Sequence, residues 1–125
     1  MVKSQCSVFQ FQILEKKLRE RKEKSERLRL AILKKIEETL AEASTRIKFD
    51  EAYIFGSVTK PGRFGEDSDI DIGFYGLSDQ DFFKMAAYLS LELGREVDVV
   101  QLEGHRLEQK VKAEGIRWRK KGSLS

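Results

Sequence analysis

Apolar positions recur every three or four residues through the first third of the chain. Phe11, Leu14 and Leu18 form one set, and Leu28, Ile32, Ile36 and Leu40 a second, which is the spacing of an amphipathic helix. No Gly or Pro interrupts Val8 to Ala43, and Leu, Lys, Glu and Arg dominate there, all strong helix formers. Between the two sets, Arg19 to Arg27 is almost wholly charged. The second set is therefore predicted to pack on a domain core and the first to project beyond it. At about 1.5 Å per residue, a helix of this length outruns a small domain. Three outcomes stay open: a break near Ser25, burial of the first stripe by a partner chain or a second copy, or a solvated helix laced with i,i+4 ion pairs.

After Asp50 the pattern changes. Ala52-Tyr53-Ile54-Phe55 is apolar on both sides, as a central strand requires, and Gly56-Ser57 ends it. Val58 to Ser68 reads as a loop containing Pro61-Gly62 and Gly65. Asp69-Ile70-Asp71-Ile72-Gly73-Phe74 alternates with period two, a second strand. Ser78 with Asp81 three residues on resembles a helix start; Phe82, Met85, Ala86, Leu89 and Leu93 mark the helix, and Gly94 closes it. Glu96 to Leu102 is predicted as a third strand with Val97 and Val99 on one face. Leu107 and Val111 predict a last short helix, followed by Gly115-Ile116-Arg117-Trp118 and a basic tail on which Trp118 tucks back to the core. The expected organisation is a helical segment over 1–48, a core over 49–118 and a tail over 119–125.

Length and composition narrow the classes. The chain has 125 residues, room for one domain. Its single cysteine, Cys6, excludes an internal disulfide, and its single histidine, His105, makes a histidine-built metal site or a serine–histidine triad untenable. Both are expected to be inert, His105 on a surface loop. No apolar run is long enough to span a bilayer, and the N-terminus lacks a signal peptide's apolar stretch, so a cytoplasmic setting is expected. Charge is segregated: residues 1–50 hold 13 Lys+Arg against 8 Asp+Glu, 51–103 hold 4 against 11, and 104–125 hold 7 against 2. An acidic middle does not suit a nucleic-acid binder; it suits a site that gathers divalent cations.

Candidate chemistry lies in that acidic middle. Residues i and i+2 of a strand share a face, so Asp69 and Asp71 point one way while Ile70 and Ile72 point to the core. Asp98, between Val97 and Val99, repeats the arrangement on the third strand. If the two strands are neighbours, three carboxylates converge, and they repel one another unless a cation neutralises them. All-oxygen ligands suit Mg²⁺, which keeps positions for water and phosphate. Upstream, Gly56 allows close backbone approach to a phosphate, and the Ser57 hydroxyl and adjacent N–H groups can donate to it.

Gly56-Ser57 after an apolar strand, an eleven-residue interval, Asp69-Ile70-Asp71 and a later strand Asp98 together resemble the DNA polymerase β-like nucleotidyltransferases, and the short length resembles their minimal branch. The resemblance covers about residues 50–118. It implies an α/β (α+β) fold, a small mixed sheet flanked by helices, here with a long N-terminal helix. It implies two Mg²⁺ ions and ATP or another nucleoside triphosphate, with transfer of a nucleoside monophosphate to a hydroxyl. Asp69 and Asp71 match the family's metal-binding pair, and Asp98 its third carboxylate, which helps hold metal and takes the acceptor's proton. Gly56 and Ser57 match its nucleotide-binding motif. Many minimal members carry an Arg soon after Gly-Ser; here Val58-Thr59-Lys60-Pro61 stands instead, leaving Lys60 or Arg63 as the phosphate-facing cation. Minimal members are often antitoxins of HEPN-domain toxins, which implies a HEPN-type protein partner; a nucleic-acid or membrane partner is not expected. The alternative is a binding module on the same fold that acts by complex formation alone.

Overall fold

Helix α1 runs unbroken from Val2 to Ala43, 42 residues and about 63 Å. Ser25 does not interrupt it, because a lone serine costs a helix only about half a kcal/mol relative to Ala and no Gly or Pro adds to it. The computed structural model describes residues 2–120, with side chains from Phe9 onward; the Cys6 side chain and tail residues 121–125 lie outside the described residues. Two fates divide α1. Ile36, Leu40 and Ala43 are fully buried against the sheet, with Leu28, Ile32 and Leu33 packed beside them. Phe9, Phe11, Ile13, Leu14 and Leu18 are exposed. The core-facing stripe thus continues past the edge of the domain, with none of the described residues folded against it.

Four strands follow, β1 (Glu51–Phe55), β2 (Ile70–Tyr75), β3 (Val97–Gln101) and β4 (Ile116–Arg119), in the spatial order β3-β2-β1-β4. β1 is central, as its two-sided apolar pattern requires, and pairs antiparallel with both β2 and β4. β2 and β3 are parallel, joined through helix α2 (Asp79–Leu93). The Ser78 hydroxyl accepts the Asp81 N–H at the start of α2, and Gly94, at φ 62°, ends it. The sheet is mixed and the fold α+β. The chain after the short helix α3 (Glu108–Glu114), where the sequence pattern predicts no element, is the strand β4 through Arg119. Trp118 on β4 packs against Phe49 with ring centroids 5.5 Å apart, so it is anchored to the core as expected.

The two faces of the sheet have separate cores. α1 and α2 cover Ala52, Ile54, Ile70, Ile72, Phe74 and Val97. On the other face Tyr53, Leu102 and Val111 are buried with Phe55, Tyr75, Val100 and Leu107 around them. α3 is latched to this second face by the Tyr75 hydroxyl, which donates to Glu108 at 2.6 Å. That bond, with the Gly104 N–H, holds the Glu108 carboxyl below its usual range, and burial first and Glu108 second raise the Tyr75 phenol. Gly73 lets Leu102 lie directly on the sheet: a Cβ there would meet Leu102 Cγ at 2.7 Å. Leu102 has no exposed surface and cannot yield, so Gly73→Ala should cost about 1–3 kcal/mol by overpacking. Urea unfolding checks this; an unchanged midpoint would contradict it.

Candidate active site

The parallel register of β2 with β3 places Asp71 opposite Asp98. Both occupy the face that carries Gly73 and Val100, at the end where β1 finishes, and Phe55 is the β1 partner of Asp71. The chain leaves β1 through Gly56, whose φ of 84° and ψ of −157° belong to a region open only to glycine. A Cβ on Gly56 would collide with the Asp71 carboxylate. The first glycine of the motif is therefore required twice, by its backbone and by the carboxylate it faces. Ser57 begins a single 3-10 turn, Ser57–Thr59, closed by the Thr59 N–H and hydroxyl on the Gly56 carbonyl (3.1 and 2.7 Å) and by the Lys60 N–H on the Ser57 carbonyl.

Asp71 carries the electrostatic signature of the site. Its carboxyl is pushed up to about 6, by burial first, then by the charge of Asp98 and a hydrogen bond shared with it, then by the charge of Asp69. Two carboxylates held together without a cation behave in this way. Asp69 stands one residue ahead of β2, exposed, so the three acids do not form one tight cluster. Among the described residues no three His, Cys, Asp or Glu side chains are gathered into a ready metal cage. The Asp71–Asp98 pair nevertheless fits Mg²⁺, which is bound through one or two carboxylates and completes its octahedron with water and phosphate oxygens.

Of the two candidate cations, Lys60 lies beside Gly56 and Arg63 does not. A hollow of about 120 Å³ runs between the end of β1, the 3-10 turn and α3, lined by Gly56, Thr59, Lys60, Leu107, Lys110 and Glu114 among others. Arg63 is exposed on the next turn and does not line it. A second cation, Lys110, lines the same hollow, and only the pairing of α3 with the end of β1 brings it there. Its single signal in the sequence was a position one residue before Val111. A larger hollow of about 630 Å³ between α1 and β4 lies on the opposite face of the sheet, lined by Lys34, Ala41 and Trp118 among others, and has no part in the carboxylate pair. The approach to Asp69 is fixed by Arg95, which donates to the carbonyls of Gly65, Glu66 and Ser68 and lies 4.6 Å over the Phe64 ring. Arg95 is thus a staple for the 60s loop rather than the counter-ion of Asp98. His105 sits in the loop before α3, its Nδ1 accepting the Leu107 N–H.

Comparison with known proteins supplies the family and the fold. The sequence profile described as polymerase beta, nucleotidyltransferase matches residues 34–118. A crystal structure of a toxin–antitoxin with AMP-PNP is similar at 29% identity and a TM-score of 0.56, over 70% of this chain and 73% of that one. A protein from Sulfolobus solfataricus proposed to be a nucleotidyltransferase is similar at 27% identity and a TM-score of 0.52, over 79% of this chain and 89% of that one. No curated protein matches the sequence. Among the described residues, no helix is long and apolar enough to cross a membrane.

The raised Asp71 carboxyl makes stability depend on pH in a definite direction. Well below pH 4, at about pH 2.5, Asp71 is protonated in folded and unfolded chains alike and contributes nothing. As pH rises from about 4 to 6 the unfolded chain ionises first, so Asp71 lowers stability across that window and the loss stays level above it. Asp71→Asn should therefore match the wild type at about pH 2.5 and exceed it at about pH 7.5, by on the order of 1 kcal/mol once solvent screening is allowed for. Urea unfolding at the two pH values checks this, and a variant less stable than wild type at pH 7.5 would contradict it.

Proposed function

This chain belongs to the polymerase beta nucleotidyltransferase family, and from that premise we propose that it transfers a nucleoside monophosphate, AMP from ATP, onto a hydroxyl. The observation that carries the reading is Asp71 opposite Asp98 with the Gly56-Ser57 turn against Asp71. In the proposed reaction the acceptor hydroxyl oxygen bonds to the α-phosphorus, the bond to the bridging oxygen breaks, and pyrophosphate leaves. Asp98, exposed at the rim, takes the hydroxyl proton. Ser57 and Lys60 hold phosphate oxygens, and Gly56 keeps the space between turn and carboxylate clear. Asp69, Asp71 and Asp98 would hold Mg²⁺, two ions as the resemblance implies, which when bound neutralises the triphosphate and the charge developing on the leaving group.

Asp71→Asn and Asp98→Asn should each lower Mg²⁺-dependent pyrophosphate release by about a hundredfold or more with the fold intact. Undiminished release by either variant would remove the carboxylates from the mechanism. The small size of the hollow beside Gly56 favours a second reading, a binding module that acts by complex formation without turnover. The two separate in a thermal unfolding assay with ATP and Mg²⁺. Nucleotide at a hundred times its Kd adds about 2.7 kcal/mol of stability, and the module shows no such gain.

The acceptor we propose is a hydroxyl on a protein partner. The likeness to a toxin–antitoxin structure supports a toxin partner, of HEPN type on the sequence resemblance, silenced by the transferred AMP. The exposed stripe Phe11, Leu14 and Leu18 offers that partner, or a second copy of this chain, a surface distant from the carboxylates. Deleting residues 1–24 should abolish partner binding or change the oligomeric state in light scattering while nucleotide affinity is kept. A truncated chain with the same solution mass and the same partner affinity would contradict this assignment.

A further inference from the structure

Arg29 is the one charged side chain among the described residues that the fold buries, at 8% exposure, and the reaction proposed above makes no use of it. It lies on α1 between Leu28 and Ile32, at a position where the helix otherwise presents aliphatic side chains to the core. Its guanidinium divides its bonds between two elements. Nη1 donates to the carbonyl oxygen of Val58 at 3.1 Å, across 29 residues of chain. Nε and Nη2 fork onto the Glu26 carboxylate one turn back, which the arginine holds below the usual carboxylate range.

Val58 is the residue after Ser57. Its side chain has no exposed surface, and its carbonyl is bound by Arg29, so the turn is pinned from both sides of its backbone. A peptide unit is planar, so fixing that oxygen also fixes the plane that leads into Thr59. Thr59 returns two hydrogen bonds to Gly56, and Lys60 returns one to Ser57. The orientation of the whole Gly56–Lys60 segment relative to Asp71 is thereby referred to α1. A buried guanidinium is a poor device for stability alone, since an aliphatic residue of similar volume avoids its desolvation cost. It does supply a directional bond from a rigid helix to one backbone atom, which an aliphatic side chain cannot.

We propose that Arg29 is a positioning residue for triphosphate binding, and that Glu26 orients it. It sets the turn that carries Ser57 and Lys60 at the spacing from the Asp71–Asp98 pair that a metal-bound triphosphate spans. This assignment rests on the nucleotidyltransferase reading, and its test separates the two. The full chain is prepared as wild type, Arg29→Met, Arg29→Lys and Glu26→Gln. Each protein is measured for urea stability, for Mn²⁺ affinity, for affinity toward a non-hydrolysable ATP analogue, and for amide exchange at Thr59 and Lys60.

Arg29→Met should remain folded, bind Mn²⁺ within twofold of wild type and bind the analogue at least tenfold more weakly. Its Thr59 and Lys60 amides should exchange at least tenfold faster. Arg29→Lys should recover part of the loss, because an ammonium can reach the Val58 carbonyl without the fork. Glu26→Gln, altered on the exposed side of the pair, should lose about threefold in analogue affinity, and it decides the matter if the Met variant does not fold. Folded variants with wild-type amide exchange in the turn would overturn the positioning role whatever the nucleotide does. Analogue affinity within twofold of wild type despite faster exchange would overturn its bearing on the phosphates. A wild-type chain that binds no analogue but shows the exchange difference would instead overturn the nucleotidyltransferase reading, and the triphosphate role with it.

Discussion

Parallel pairing of β2 with β3 is the constraint on which the site depends. It sets Asp71 and Asp98 side by side, where burial and mutual repulsion push the Asp71 carboxyl up to about 6. A parallel neighbour needs a crossover, and α2, started by Ser78 and stopped by Gly94, provides one that packs on the face opposite the carboxylates. The remainder of the architecture answers to the same pair. Gly56 has no side chain because Asp71 occupies the space, and Gly73 has none because Leu102 does. Arg95 holds the 60s loop so that the chain enters β2 past Asp69. The fold thus keeps an unfavourable charge arrangement in place with rigid elements on every side, which is the condition for binding a cation and the phosphates that accompany it.

Helix α1 has two tasks that its sequence keeps apart. From Leu28 onward its apolar face belongs to the core, and through Arg29 it reaches the turn after β1. Before Arg19 the same face is exposed at Phe11, Leu14 and Leu18 and unopposed among the described residues. One rigid rod therefore runs from an exposed apolar surface to the backbone beside Ser57. Along the sequence, basic segments flank an acidic middle, with 4 Lys+Arg against 11 Asp+Glu over residues 51–103.

Much of this was legible in the sequence because it was written in local patterns. The alternation in Ile70 to Phe74, the cap at Ser78, the stop at Gly94 and the two-sided strand at Tyr53 each follow from residues within one element. The facing of Asp71 and Asp98 needed only that two strands be neighbours, which the family resemblance supplied. What was hidden depends on distant contacts. β4 is four residues long and two of them are arginines, so its character comes from pairing with β1 and from Glu51, which takes Arg117 at 2.8 Å. Arg29 is one cation among many on a charged helix, and only the return of Val58 to that helix gives it a role. Lys110 is in the same position with respect to Gly56. Asp69, predicted to share the strand with Asp71, lies just outside it, because the ladder begins at Ile70.

The central claim is that Asp71 and Asp98 are a cation-binding pair held ready by the fold. A carboxyl-carbon NMR titration of Asp71 tests it most directly, without metal and then with Mg²⁺ and a non-hydrolysable ATP analogue. The account predicts a midpoint near 6 without metal, falling below the ordinary aspartate range when metal and nucleotide are added. A midpoint at the ordinary value, unmoved by metal and nucleotide, would contradict it.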